Sequence, residues 1–167
     1  LFVLQSMKRI DFLVSGTDVN ARDQLLIVEL KQWETAIKTE KDGIVVTRFE
    51  RGPAEASHPS YQAWSYASLL ENFNEAVYES ALELRPCAYL HNYRANSDIR
   101  DAVYAEYLER APVFLKGEAE KKKLQEFIAR HVRHGDKNKI IYRINNGRIR
   151  PSKGLVDALV GMLAGRQ

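Results

Sequence analysis

The sequence predicts an α/β fold: a mixed central sheet flanked by helices. Three observations lead there. Two strongly apolar runs, RIDFLVSG (9–16) and LLIVELKQW (25–33), flank a short polar gap and have the pattern of a β-hairpin. A third strand-like run precedes a long segment of helical periodicity, after which comes a further apolar strand, LRPCAYLHNY. The remaining chain is rich in helical segments, which a sheet with two apolar faces needs as cover.

Each element follows from its residues. KRIDFLVS (8–15) alternates well enough for a strand, and GTDVNARD supplies Gly, Asp and Asn for a turn. QLLIVELK is denser in apolar residues and is therefore expected to be central. KTEKDG turns again, and IVVTRFE makes a third strand, giving an antiparallel meander. RGPAEASHPS is expected as a loop, with Ser57 or Ser60 capping the next helix and Pro59 near its start. YQAWSYASLLENFNEAVYES is one long helix, with Trp64, Ala67, Leu70 and Phe73 or Val77 at helical spacing. LRPCAYLHNY is the fourth strand. SDIRDAVYAEYLERAP is a second helix capped by Ser97 or Asp98, and GEAEKKKLQEFIARHVRHG a third that ends at Gly135. KIIYRINNGRIR is expected to be a small hairpin turning at Asn146-Gly147, and SKGLVDALVGMLAG a last helix capped by Ser152.

With 167 residues, 45% hydrophobic and 28% charged, the composition is that of an ordinary soluble domain. No stretch approaches the roughly 20 apolar residues of a membrane span, so no membrane partner is expected. The start, LFVLQSMKRID, lacks the pattern of a secretory leader. It begins at Leu1 in mid-apolar run, from which a fragment of a longer protein is expected. The single cysteine, Cys87, forms no internal disulfide, which points to a reducing, cytoplasmic setting; its apolar neighbours make it a core residue rather than a catalytic thiol. Charge is uneven. Arg130, Arg133, Lys137, Lys139, Arg143, Arg148, Arg150 and Lys153 are opposed within 130–153 by Asp136 alone, a local +7 in a chain of net +3. Such a tract suits an anionic partner, nucleic acid above all, or a solvated tail leading into another domain.

Ionisable residues inside the hairpin need partners or a purpose. Alternation puts Glu29 and Lys31 on one face with Ile27, and Asp11 on one face with Arg9 and Leu13. If the register brings Asp11 beside Glu29, two carboxylates and an ammonium meet on one side of the sheet. Adjacent carboxylates repel, and a divalent cation resolves the conflict. Mg²⁺ takes carboxylate oxygens and keeps several waters, one of which can attack phosphorus. Lys31 can orient that water or neutralise charge developing on the phosphoryl group. Four residues apart on the following helix, Gln62 and Tyr66 share one face.

An acid on one strand, Glu-x-Lys on the next and Gln-x-x-x-Tyr on the helix beyond resembles the PD-(D/E)xK nuclease superfamily in its RecB-like form. Here the elements are Asp11, then after seventeen residues Glu29-Leu30-Lys31, then Gln62 to Tyr66; Ile10 stands where the motif name has Pro. The run from RIDFLVSG to IRPSKGLVDALVGML also resembles the amino-terminal region of bacterial Schlafen group 3-like DNA/RNA helicases. The resemblance implies a restriction-endonuclease-like core and a nuclease-like domain over 1–135. It also implies an upstream helical segment not visible in this chain, and a basic hairpin and helix over 136–167 leading toward a helicase domain. It implies Mg²⁺ or Mn²⁺ held by Asp11, Glu29 and the Leu30 carbonyl, Lys31 as catalytic lysine, and Gln62 and Tyr66 shaping the site. Phosphodiester hydrolysis follows, on DNA more than RNA. Arg9, Gln32 and Trp33, together with Arg130, Arg133, Lys137, Lys139, Arg148, Arg150 and Lys153, are expected to contact nucleic acid.

Blander readings stand beside these. Asp11, Glu29 and Lys31 could form a structural ion-pair network, and Tyr66 could simply fill the core. His58 could face the site or be merely exposed. His131 and His134 are expected at a solvated or phosphate-facing helix end rather than on a metal. The alternative to catalysis is a nucleic-acid-binding or regulatory module that kept the fold.

Overall fold

The computed structural model describes residues 9–94 and 98–165. Strands β1 (Phe12–Thr17) and β2 (Asp23–Lys31) form the expected antiparallel hairpin, with Phe12 opposite Val28 and Thr17 opposite Asp23. Asp18 closes it: its carboxylate accepts the N–H groups of Asn20 and Arg22 at 2.9 Å each. The third strand does not continue this sheet. β3 (Ala36–Lys38), β4 (Ile44–Phe49) and β5 (Gly52–Ser57) make a separate antiparallel sheet in that order. The segment expected as a loop is thus mostly strand, because Ile44–Phe49 needs a ladder partner and pairs in full with Gly52–Ser57.

Helix α1 (Pro59–Phe73) begins with Pro59, as expected, but its cap is His58, whose Nδ1 accepts the Ser60 N–H at 3.0 Å. It stops short of the length read from its periodicity. Asn74 adopts extended backbone, donates from Nδ2 to the Ile144 carbonyl (2.9 Å) and pairs with Ile149, after which α2 (Glu75–Tyr78) adds one turn. β6 (Glu83–Leu90) then lies parallel to β2, from Gln24–Glu83 to Lys31–Leu90. This crossover answers the burial of β2, whose residues Gln24–Val28 are all buried and require a strand on either edge. Pro86 is tolerated because the Ala88 N–H points outward to the Pro112 carbonyl, so the nitrogen two residues earlier also faces the open edge.

Residues 98–112 form two 3₁₀ turns, Asp98–Arg100 and Ala102–Tyr104, and helix α3 (Ala105–Arg110) rather than one continuous helix; Ser97 lies outside the described residues. β7 (Val113–Phe114) pairs with β6. Helix α4 (Glu118–His131) ends before Gly135, since Val132 turns extended and β8 (His134–Gly135) pairs with Gly16 and Thr17 of β1. The main sheet is therefore mixed, β7-β6-β2-β1-β8. Gly16 allows the β8 contact, for a Cβ there would run into the His134 carbonyl oxygen.

The expected hairpin at 139–150 is instead helix α5 (Ile140–Asn145). Ile140 and Ile144, four apart, both enter the core, and Asp136 caps the turn by accepting the Ile140 N–H at 2.9 Å. That helical spacing outweighs the Asn146-Gly147 turn signal, which serves to end the helix. Helix α6 (Lys153–Leu163) is capped by Ser152 as expected, and its Leu163 and Met162 are largely exposed. One face of the main sheet packs Leu25 and Ile27 under Tyr66, Ala67 and Leu70 of α1. The other packs Val28, Cys87 and Phe114 under Leu124 and Phe127 of α4. No helix among the described residues is long and apolar enough to cross a membrane.

Candidate active site

Leu25 and Ile27 point beneath α1, so the alternation carries Glu29 to the same side at the carboxyl end of β2. One register step beyond the Phe12–Val28 pair sets Asp11 across from Glu29, and the Asp11 carboxylate accepts the Leu30 N–H at 3.1 Å. Lys31 Nζ lies 3.1 Å from Glu29 Oε1. Glu29 is only 3% exposed, and its second oxygen, Oε2, is buried without a hydrogen-bond partner. Burial pushes the Glu29 carboxyl up to about 7; Lys31 opposes this and Asp11 adds to it. The carboxylates are thus held close against their mutual repulsion.

From the facing helix, Gln62 Nε2 donates to the Tyr66 hydroxyl at 2.7 Å. Burial raises the pKa of the Tyr66 hydroxyl, the Gln62 bond opposes this, and the charges of Glu29 and Asp11 add to the rise. Lys31, Trp33, Gln62 and Tyr66 line a cavity of ≈ 220 Å³ together with Phe49, Ser57 and Ser65. Lys31, Gln62 and Tyr66 therefore share one cavity, and the Lys31 ammonium joins it to Glu29, which like Asp11 does not line it. Trp33 follows, half-buried, with Lys31 Nζ 5.2 Å from its ring centre. Gln32 and Arg9 are exposed, and the Leu30 side chain is 40% exposed on the opposite face.

The donor set suits a hard cation in kind: two carboxylates, one of them with an orphaned buried oxygen. It is a small set. Among the described residues no three His, Cys, Asp or Glu side chains cluster to hold a metal ion, and His131 and His134 form no such group.

The basic tract does not surround this place. Arg133 donates its N–H to Thr17, and β8 pairs at the same end of the hairpin; six residues of β2, about 20 Å at roughly 3.3 Å each, separate that end from Glu29. Arg130, Arg133, Lys137 and Lys139 are exposed there without an ion pair among the described residues. Arg143 is neutralised by Asp23 at 2.9 Å. Arg150 clamps the tail to α2 through Glu75 (2.9 Å) and Glu79 (3.6 Å), leaving Arg148 and Lys153 exposed beside it.

His58 does not face the cavity. It is fully buried, and its Nε2 donates to the Ile99 carbonyl at 2.8 Å while Nδ1 accepts from Ser60, a pairing that fixes the neutral ring with the proton on Nε2. Cys87 is fully buried, and burial pushes its thiol up to about 12. Sequence reasoning missed Phe49, Ser57 and Ser65. The signal for Phe49 was the alternation of Val45, Thr47 and Phe49 on one face of β4. No family model, curated protein or solved structure matches the chain.

Proposed function

We propose that the chain is a metal-dependent nuclease domain of the PD-(D/E)xK superfamily, RecB-like, that hydrolyses phosphodiester bonds of DNA or RNA. On this reading it is the amino-terminal part of a nuclease–helicase polypeptide in the cytoplasm. The observation that carries it is the convergence of Asp11, Glu29 and Lys31 at one strand end, with Gln62 and Tyr66 lining a common cavity with Lys31. The antiparallel hairpin followed by a helical crossover to a parallel strand supports a restriction-endonuclease-like core, to which the β3–β5 sheet is a lateral addition.

Asp11 and Glu29, with the Leu30 carbonyl, hold the cation. Bound Mg²⁺ or Mn²⁺ supplies Lewis acidity toward a phosphoryl oxygen and a nucleophilic water. Lys31 has two tasks. It favours the ionised form of Glu29, and its ammonium stabilises negative charge as the new P–O bond forms and the bond to the leaving oxygen breaks. Gln62 holds the Tyr66 hydroxyl at the wall of the cavity that Lys31 also lines, where it can donate to a phosphate oxygen. The attacking water gives up its proton to bulk solvent, and the leaving oxygen takes one from it.

The test is cleavage of labelled single- and double-stranded DNA and RNA with Mg²⁺, Mn²⁺ or EDTA, repeated on the full-length protein. Cleavage that needs the cation and disappears in Glu29→Ala and Lys31→Ala is expected. Cation-independent cleavage, or cleavage unchanged in both variants, refutes it. The small number of acids favours a second reading, a module that binds nucleic acid without turnover. It predicts salt-sensitive binding and no cleavage by the full-length protein.

A further inference from the structure

The cleft wall opposite α1 is the small β3–β5 sheet. Val45, Thr47 and Phe49 share one face of β4, and the register sets Ala56, Ala54 and Gly52 against them on β5. Val45 and Thr47 are buried, whereas Phe49, next on that inner face, is 45% exposed. It sits at the tip of a two-residue turn, Glu50-Arg51, with Gly52 at φ 107 taking the left-handed backbone the turn requires.

Phe49 makes no ring contact among the described residues, although Tyr61, Trp64 and Tyr107 nearby all contact one another. Trp33 packs one side against the core cluster that includes Ala36, Leu90 and Tyr93, and the Lys31 ammonium stands over its ring. Both rings line two cavities flanking Lys31, of ≈ 540 and ≈ 220 Å³. The small side chains facing Phe49 leave this space open. Arg48 and Arg51 are exposed at the tip, and Arg48 borders the outer cavity together with Lys31, Glu34 and Glu50.

This arrangement fits a polymer that is anionic along one edge and flat and aromatic along the other. Lys31, Arg48 and Arg51 suit the phosphates. In the outer cavity Lys31 and Arg48 balance Glu34 and Glu50, and its apolar lining is Leu30, Trp33 and Phe49, which suits a base more than a second phosphate. Paired bases keep their faces inside the duplex stack, so only an unpaired strand offers a face to a ring. We infer that the gap between Trp33 and Phe49 takes an unpaired base, which makes single-stranded nucleic acid the substrate class of the domain. The consequence for cleavage rests on the nuclease reading above; the binding does not.

The test is fluorescence anisotropy in EDTA with labelled oligo(dT), oligo(U) and a blunt hairpin duplex. Single strands should bind at least about tenfold more tightly than the duplex. Phe49→Ala and Trp33→Ala should each weaken single-strand binding by about five- to 150-fold, Phe49→Tyr should restore it, and duplex binding should stay unchanged. Circular dichroism checks folding, and the half-exposed Phe49 carries the test if Trp33→Ala unfolds. Equal affinity for duplex and single strand, binding of neither, or an unchanged Phe49→Ala overturns the inference. Tight, aromatic-dependent single-strand binding by a protein that cleaves nothing with Mg²⁺ sinks the nuclease reading and leaves the inference standing. Mg²⁺-dependent duplex cleavage without single-strand preference does the reverse.

Discussion

Glu29→Gln should make the protein more stable while depriving it of its cation. The carboxyl is held at about 7 in the fold against an ordinary 4.5. Its proton is bound more tightly folded than unfolded. Stability from this group is therefore complete below pH 4.5 and is lost as pH rises through 7. At about 1.4 kcal/mol per pH unit, the loss reaches about 3 kcal/mol by pH 8. The residue is almost wholly buried, so screening does little to reduce it. Glutamine has the same shape and no charge, and its amide can donate to Asp11, though Lys31 loses its partner. Urea denaturation of both proteins in EDTA from pH 5 to 8 should show the variant gaining about 1–3 kcal/mol relative to wild type across that range. Carboxylates elsewhere whose pKa values are lowered, such as Asp136 and Glu120, cancel in the difference. Adding Mg²⁺ at 100 times its dissociation constant should stabilise wild type by about 2.7 kcal/mol and leave the variant unmoved. A stability difference that is flat with pH would refute the account of Glu29 as a strained acid. An equal response of both proteins to Mg²⁺ would remove it as a ligand.

Other perturbations separate chemistry from scaffold. Lys31→Ala should lower cleavage at least about 100-fold while Mg²⁺ still raises the melting temperature; because Lys31 opposes the upward push on Glu29, the pH midpoint of Mg²⁺ binding should also rise. Ile27→Ala, which empties a fully buried position beneath α1, should cost about 2–5 kcal/mol in denaturant titrations and reduce activity only through lost fold. His58→Ala should cost about 2–4 kcal/mol through a lost cap and an unpaired Ile99 carbonyl. Burial lowers the His58 pKa, so its contribution is present above about 6.5 and is lost as pH falls below that value; the variant should abolish this acid-side sensitivity in thermal melts.

How far the sequence spoke depended on how local the signal was. The register placing Asp11 against Glu29 was legible because strand alternation and a short turn leave few options, and Gln62 and Tyr66 were legible because a four-residue step on a helix fixes a face. The β5 strand was not: Gly-Pro-Ala-Glu-Ala-Ser has little strand preference, and pairing with β4 imposes the conformation. The third strand left the hairpin because β2 is buried on both faces and takes β6 as its second neighbour, a long-range competition invisible in a window of residues. Residues 139–150 misled because Asn-Gly is a strong turn signal, yet Ile140 and Ile144 find the core only as a helix. The remoteness of Arg133 and Lys137 from Glu29 is a property of topology, set by β8 joining the far end of β1.

The imidazole of His58 acts as a bearing. Its backbone N–H donates to Gly43 at the base of the β4–β5 hairpin, its ring holds the first turn of α1 on one side and Ile99 on the other, and Tyr104 lies against it at 4.5 Å. The hairpin that carries Phe49 and the helix that carries Gln62 and Tyr66 thus share one buried anchor, which itself lines none of the cavity between them. A change at His58 therefore reaches both walls of that cavity at once.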